Sequence, residues 1–268
     1  MKNKNKKIRL DHLLFKKKIV LSRERAKSLI LAGKVRVADE IADKPGRAYN
    51  EDCSVQVIED VHPYVSRGGI KLEHGLREFD ISLSEKVAVD IGASTGGFTD
   101  CLLQHGIEKV FAVDVGYGQL DWKLQSDSRV VSLDRKNARE LNSNDINELV
   151  DLVVIDVSFI SLKIIIPSVI NVLKPVGDLI ALVKPQFEVG KEEVENKGII
   201  KDPKKHLSVL IALNAFMKTQ GWPITNIATS PITGQKGNRE FLIHCPGKEN
   251  PRIIQDDHIR SMINTQIP

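Results

Sequence analysis

Four charged residues stand where a folded chain finds charge hard to leave unpaired. Asp156 follows the apolar run LVVI, Lys184 follows IALV, Glu240 opens the run EFLIH, and Lys71 lies in VSRGGIKL, ahead of the first such run. Burying a charge at the end of an apolar strand is costly unless it meets a partner. Two cations and two anions brought together can satisfy one another, either as a structural ion-pair network or as a polar site with a chemical task. The residue types alone leave both readings open.

A second feature is DIGASTGGFTD, residues 90–100, where an apolar strand ends and a helix begins. The loop residues Gly92, Ser94, Gly96, Gly97 and Phe98 occupy the place where a doubly wound sheet binds its cofactor, and glycine there lets the backbone turn sharply and approach a ligand. The spacing Gly92-x-x-x-Gly96-Gly97 is not the dinucleotide pattern G-x-G-x-x-G, and no Gly-Lys-Ser/Thr follows, which disfavours NAD and ATP. Asp90, ahead of the loop, suits the cationic amino-acid end of S-adenosylmethionine. Asp114, at the end of the second strand, is placed to accept hydrogen bonds from ribose hydroxyls.

The elements that must position these residues are legible as a change of period. From Lys86 onward, apolar runs alternate with helical stretches: Val87–Asp90, Val110–Asp114, Val130–Leu133, Leu152–Asp156 and Leu179–Lys184. Ile224–Thr229 and Glu240–His244 follow a helix expected at Lys204–Gln220. This alternation predicts an α/β, Rossmann-like domain with a seven-stranded parallel sheet and helices on both faces. Ahead of it, Arg9–Asp60 reads as a small α/β module of two helices and a short sheet, with Ser22 as a helix N-cap and Gly33 as a helix stop. Pro63 and Gly68–Gly69 punctuate the junction. The expected domains are therefore 1–60 and 71–268, with 61–70 as a linker.

Charge divides along the same line. Residues 1–62 carry 15 Lys/Arg against 9 Asp/Glu, whereas the remainder carries 24 against 26. Arg23, Arg25, Lys27, Lys34 and Arg36 crowd the second helix and the turn after it, where they can meet a phosphate backbone together. The three cysteines, Cys53, Cys101 and Cys245, have neither disulfide nor zinc spacing, so a reducing cytoplasm is expected and no metal. The basic start lacks the apolar core of a secretory signal, and no segment approaches membrane length.

The pattern R-L-D-x-L-L…S-R-x-x-A-x-x-L-I-x-x-G-x-V-x-V resembles the S4 RNA-binding domain. The segments VSRGGIKL, DIGASTGGFTD, VDVGYGQL, LVVIDVSFISL, LVKPQFEVG and GNREFL resemble the TlyA (haemolysin A) family, which joins an S4 domain to an FtsJ-like methyltransferase domain. The resemblance implies methyl transfer from S-adenosylmethionine to a cytidine 2′-hydroxyl of bacterial ribosomal RNA, with ribosomal RNA or subunits as partner. It also implies a joint role for Lys71, Asp156, Lys184 and Glu240 as a Lys-Asp-Lys-Glu tetrad. Arg9 and Arg67 join the expected RNA-contacting residues. Asn137, in DRKNAR, stands where many related enzymes carry an aspartate facing the adenine amino group, and its amide oxygen can accept the same hydrogen bond.

A ribose hydroxyl is a very weak acid, so such a site must help its proton leave while aligning the oxygen with the methyl group. Lys184 is the candidate for that task, either as base or as stabiliser of the developing alkoxide, with Asp156 positioning it. Two other readings remain: a membrane-active haemolysin, opposed by the missing signal and span, and a non-catalytic ribosome-assembly protein, opposed by the intact tetrad and loop.

Overall fold

A computed structural model describes residues 7–20, 23–31, 33–58, 63–190, 198–234, 237–247 and 254–266. The chain divides into two compact units, Met1–His62 and Pro63–Pro268. Residues 63–70, read from the sequence as linker, fall in the second unit. Tyr64 is buried there, and the Val65 backbone N–H donates to Asp100 Oδ2 at 2.8 Å.

The first unit runs β1 (Lys7–Arg9), α1 (Leu10–Lys16), α2 (Arg23–Leu31), β2 (Val35–Val37), β3 (Glu40–Ile41), β4 (Ala48–Asn50) and β5 (Val55–Val57). Strand β1 pairs with β4, while β3, β2 and β5 form an antiparallel sheet. Leu10, Leu14, Ala26, Ile30, Val35 and Val37 close one small core. Gly33 stops α2 at φ +69, a conformation that only glycine adopts freely. Ser22 and the Arg25 side chain lie outside the described residues.

The second unit begins with α3 (Gly68–Glu78), then β6 (Val87–Ile91), α4 (Gly97–Gln104), β7 (Lys109–Val113), α5 (Trp122–Gln125), β8 (Val130–Leu133), α6 (Ser143–Ile146) and β9 (Val150–Ile155). It continues through α7 (Leu162–Val169), β10 (Leu173–Val183), α8 (Pro185–Glu188), α9 (Pro203–Thr219), β11 (Asn226–Thr229), β12 (Phe241–Cys245) and α10 (Asp256–Gln266). The sheet order is β11-β12-β10-β9-β6-β7-β8. Successive strand residues face opposite sides, and both sides are apolar. Val89, Ile91, Val153, Ile155, Ala181 and Val183 face one core with α7, α9 and α10, and Ala88, Val110, Leu152, Val154 and Ile180 face the other with α3, α4 and α5. A strand buried on both faces must read as a nearly continuous apolar run, as these do.

One strand departs from the expected parallel sheet. β12 runs antiparallel to both β10 and β11. The connection 230–240 supplies no crossover helix among its described residues, and without one a following strand returns alongside in the opposite sense. The order reverses at β6, with β7 on one side and β9 on the other, and the carboxyl ends of β6 and β9 form the switch point where a doubly wound sheet takes its ligand.

Candidate functional site

Helix α3 lies along β12 in step with it. Lys71 Nζ donates to Glu240 Oε2 at 2.5 Å, Gly75 lies against Leu242, and Phe79 stacks on His244 with ring centroids 5.3 Å apart. Four helical residues advance about 6 Å and two strand residues about 6.8 Å, so every fourth helix position meets every second strand position. This match carries Lys71 to a buried carboxylate 169 positions away in sequence.

The antiparallel register then brings the second pair alongside. Val183 faces Phe241, so Lys184 and Glu240 occupy the next position on the same edge. Lys184 Nζ lies 2.6 Å from Asp156 Oδ1, outside hydrogen-bond geometry, and donates to Ser158 Oγ at 3.0 Å. Glu188, on α8, fastens the two loops that carry this pair. It accepts from Ser161 Oγ at 2.6 Å and from the Leu162 N–H at 2.8 Å, and burial pushes its pKa up. The four charges therefore meet as two ion pairs on one sheet edge. Neither Ser158 nor Glu188 was singled out in the sequence, because both roles depend on which loops become neighbours.

In the glycine loop, the glycines serve first to let the protein close on itself. A Cβ on Gly92 would come within 2.6 Å of the Asp156 carbonyl oxygen, one on Gly96 within 2.2 Å of Leu124, and one on Gly97 within 2.1 Å of Ser66 Oγ. Gly92 and Gly96 also have φ of +82 and +95. Phe98 is buried in the core beside α3, so its ring is not offered to a ligand. Ser94 donates its backbone N–H to Asp114 Oδ2 at 2.8 Å, and Gly116 donates to the other oxygen at 2.7 Å. A carboxylate has about four acceptor positions, so Asp114 keeps capacity for hydroxyl donors. Asn137 caps a short 3-10 turn, its Oδ1 accepting from the Arg139 N–H at 3.1 Å and the Arg139 Nε at 3.3 Å. Its oxygen is thus already engaged.

Asp90 is fully buried in the central strand. Its Oδ2 accepts from Thr99 N at 3.0 Å and Thr99 Oγ1 at 2.7 Å, securing the first turn of α4, while Oδ1 has no hydrogen-bond partner. Burial, resisted by the Thr99 hydrogen bonds and reinforced by Asp156 and Asp114, pushes its pKa up to about 7. A buried carboxylate oxygen without a donor is what a cationic group would complete.

Around this edge, a cavity of about 360 Å³ opens beside Glu240, lined by Thr229, Ser230, Ile232 and Arg239 among others. Phe159 follows Ser158 with φ +64 and is 89% exposed, its ring centroid 5.0 Å from that of Phe187. A bulky residue held in the left-handed region and turned to solvent points to function, and nothing in the run FIS announced it. Arg67 is exposed just ahead of α3, one turn before Lys71.

In the first unit, Arg9 and Arg23 both bind the Asp11 carboxylate. Its pKa is held at about 2, chiefly by the Arg9 hydrogen bonds. Lys27 and Arg36 are exposed, and Lys34 is half-buried at the turn after α2. Among the described residues, no cluster suits a metal ion, and no helix is long and apolar enough to cross a membrane.

Both units match known families. Residues 64–245 match the FtsJ-like methyltransferase family, and residues 8–52 match the S4 domain. An rRNA methyltransferase candidate of Bacillus subtilis (strain 168) is 44% identical over 95% of each chain. The 16S/23S rRNA (cytidine-2′-O)-methyltransferase TlyA of Mycobacterium tuberculosis (strain H37Rv) is 42% identical over 88% of each. A solved structure of a hemolysin candidate from Streptococcus thermophilus is 40% identical and superposes with a TM-score of 0.76, covering 97% of this chain and 96% of the other. The chain is thus an enzyme of the methyltransferase class and belongs to the TlyA family, in which an S4 domain precedes an FtsJ-like methyltransferase domain.

Proposed function

We propose that the protein methylates a ribose 2′-hydroxyl, that of a cytidine, in bacterial ribosomal RNA, with S-adenosylmethionine as donor. The observation that carries this reading is the meeting of the Lys184–Asp156 and Lys71–Glu240 pairs on the sheet edge that also bears Asp90 and Asp114. The relative of known name acts on the same class of substrate.

The residues fit the cofactor. Asp90 Oδ1, buried and without a donor, suits an ammonium, and Asp114 retains acceptor capacity for ribose hydroxyls. When bound, S-adenosylmethionine supplies a methyl group made electrophilic by its sulfonium. Lys184 does the remaining work. Held against Asp156 and Ser158, its ammonium has few orientations left, so it stabilises negative charge on the hydroxyl oxygen, at little reorganisation cost, as the hydroxyl proton passes to solvent water and the oxygen takes the methyl from the sulfonium. Glu240 and Lys71 neutralise each other beside it, and Glu188 keeps the two loops in register. Phe159 offers an exposed ring on which an unstacked base can lie. The S4 unit supplies RNA affinity, and the reaction belongs in the cytoplasm, where ribosomes are built.

The test is to incubate the protein with methyl-labelled S-adenosylmethionine and total bacterial rRNA, then map the label. Label on cytidine ribose is expected, whereas label on a base, or none, overturns the reading. Deleting residues 1–60 should spare cofactor binding and cripple methylation. Full activity of that truncated chain on rRNA would remove the division of labour.

A further inference from the structure

Asp11 is fully buried at the second position of α1, and its carboxylate gathers donors from three elements. Arg9, from β1, donates Nε to Oδ1 at 3.1 Å and Nη2 to Oδ2 at 3.0 Å. Arg23, from α2, donates Nη2 to the same Oδ2 at 3.3 Å, and the His12 N–H donates to Oδ1 at 2.9 Å. The arginine side chains stay 55% and 45% exposed. Two guanidiniums sharing one oxygen are held side by side against their mutual repulsion. Each has five N–H donors, so most remain uncommitted to Asp11.

The backbone fixes this arrangement in turn. The Asp11 N–H donates to Pro45 O and the Leu10 N–H to Arg47 O, which brings the turn at Gly46 under Arg9. A Cβ on Gly46 would lie 3.4 Å from Arg9 Nη1, so the guanidinium rests on the open glycine face.

We propose that Asp11 is the positioning residue of a two-arginine clamp for an RNA phosphate; the proposal rests on the reading that the S4 unit binds rRNA. A guanidinium fork matches phosphate oxygens, but a free arginine loses rotamer freedom when it binds. Asp11 imposes that order beforehand. With Arg9 and Arg23 beside it, the carboxyl stays ionised down to about pH 2, so the clamp is set at any physiological pH. The trio keeps a net positive charge.

The proposal inverts a simple electrostatic expectation. Removing a carboxylate beside bound RNA should tighten binding if only charge counts. Clamp positioning requires the reverse. The full chain is titrated with purified bacterial 16S and 23S rRNA at several salt concentrations. Folded Asp11→Asn should bind roughly five- to tenfold more weakly and lose about one from the slope of log K against log salt, as if a phosphate contact were gone. Equal or tighter binding with an unchanged slope overturns the proposal. Should Asp11→Asn not fold, Arg9→Lys/Arg23→Lys keeps both charges and removes both forks. It should show the same weakening, and wild-type affinity would overturn the clamp. Weakening by Arg9→Ala and Arg23→Ala without any by Asp11→Asn defeats the positioning role alone. No loss from Arg9→Ala, Arg23→Ala or Arg36→Ala defeats the RNA reading of this unit, and the clamp with it.

Discussion

The two ends of the seven-stranded sheet both carry paired charge, half-buried at the amino end and more deeply set at the carboxyl end. At the amino end, Asp178 takes His244 Nε2 at 2.9 Å on one oxygen and Lys86 Nζ at 3.2 Å on the other, while Asn226 Nδ2 lies 3.1 Å from His244 Nδ1. A single tautomer, with the proton on Nε2, satisfies both ring nitrogens. Asp151 takes Lys174 Nζ at 2.7 Å and the Val87 N–H at 3.0 Å. At the carboxyl end, Asp90 Oδ1 and Gln186 Oε1 are buried without a hydrogen-bond donor, and Asp156 Oδ1 is met by the Lys184 ammonium alone. Satisfied networks stabilise, and unsatisfied acceptors cost stability unless something else completes them. The amino end is closed by ion pairs remote from the glycine loop, and the carboxyl end gathers the residues of the candidate site.

The strongest test of that contrast is Lys184→Met, which keeps the apolar stem and removes the ammonium. Methyl transfer should fall by ~10²-fold or more at near-wild-type affinity for S-adenosylmethionine and rRNA. Asp156→Asn should resemble it, and the double variant should be little worse than either. Melting temperature is measured alongside, since breaking a pair strands its partner. A wild-type single-turnover rate in the folded variant would make this pair structural too.

Gly92→Val should abolish cofactor binding, and the reason is more specific than loop shape. The new side chain meets the Asp156 carbonyl, so the loop and the carboxylate that holds Lys184 move together. Unchanged calorimetric affinity in a folded variant would detach the loop from the site.

Asp90 gives the contrast a pH dependence. Its raised pKa means that its stabilising contribution to the ligand-free fold is full below the usual carboxylate value of 3.8 and is lost as pH rises through about 7. A cationic ligand prefers the ionised carboxylate. Affinity for S-adenosylmethionine should therefore rise with pH by up to about tenfold per unit below 7, then level off. Asp90→Asn should flatten the profile. Calorimetry across pH 5–8 decides it, and a flat wild-type profile would separate Asp90 from the cofactor's charge.

The smallest effect on turnover is expected at the other end. Asp178→Asn should cost about 1–3 kcal/mol of stability by disturbing a saturated network, yet leave the single-turnover rate of the folded enzyme unchanged. A large rate loss there would erase the distinction between the two edges.

Much of this was legible before folding. The doubly apolar runs VAVDI, FAV, LVVI and IALV state a sheet covered on both faces, because only such a strand needs no polar alternation. The glycine loop and the charges ending those runs marked the carboxyl edge, and the basic surplus marked the first unit. Pairing was not legible. Lys71 meets Glu240 because α3 advances along β12 at nearly the strand's own pace, and Glu240 reaches the edge at Lys184 because β12 runs antiparallel. Sequence periodicity reports which face is buried and carries no record of strand direction or neighbour. Likewise, composition supplied Arg9 and Arg23 as surface charge, and only the packing of β1, α1 and α2 around Asp11 made them a pair.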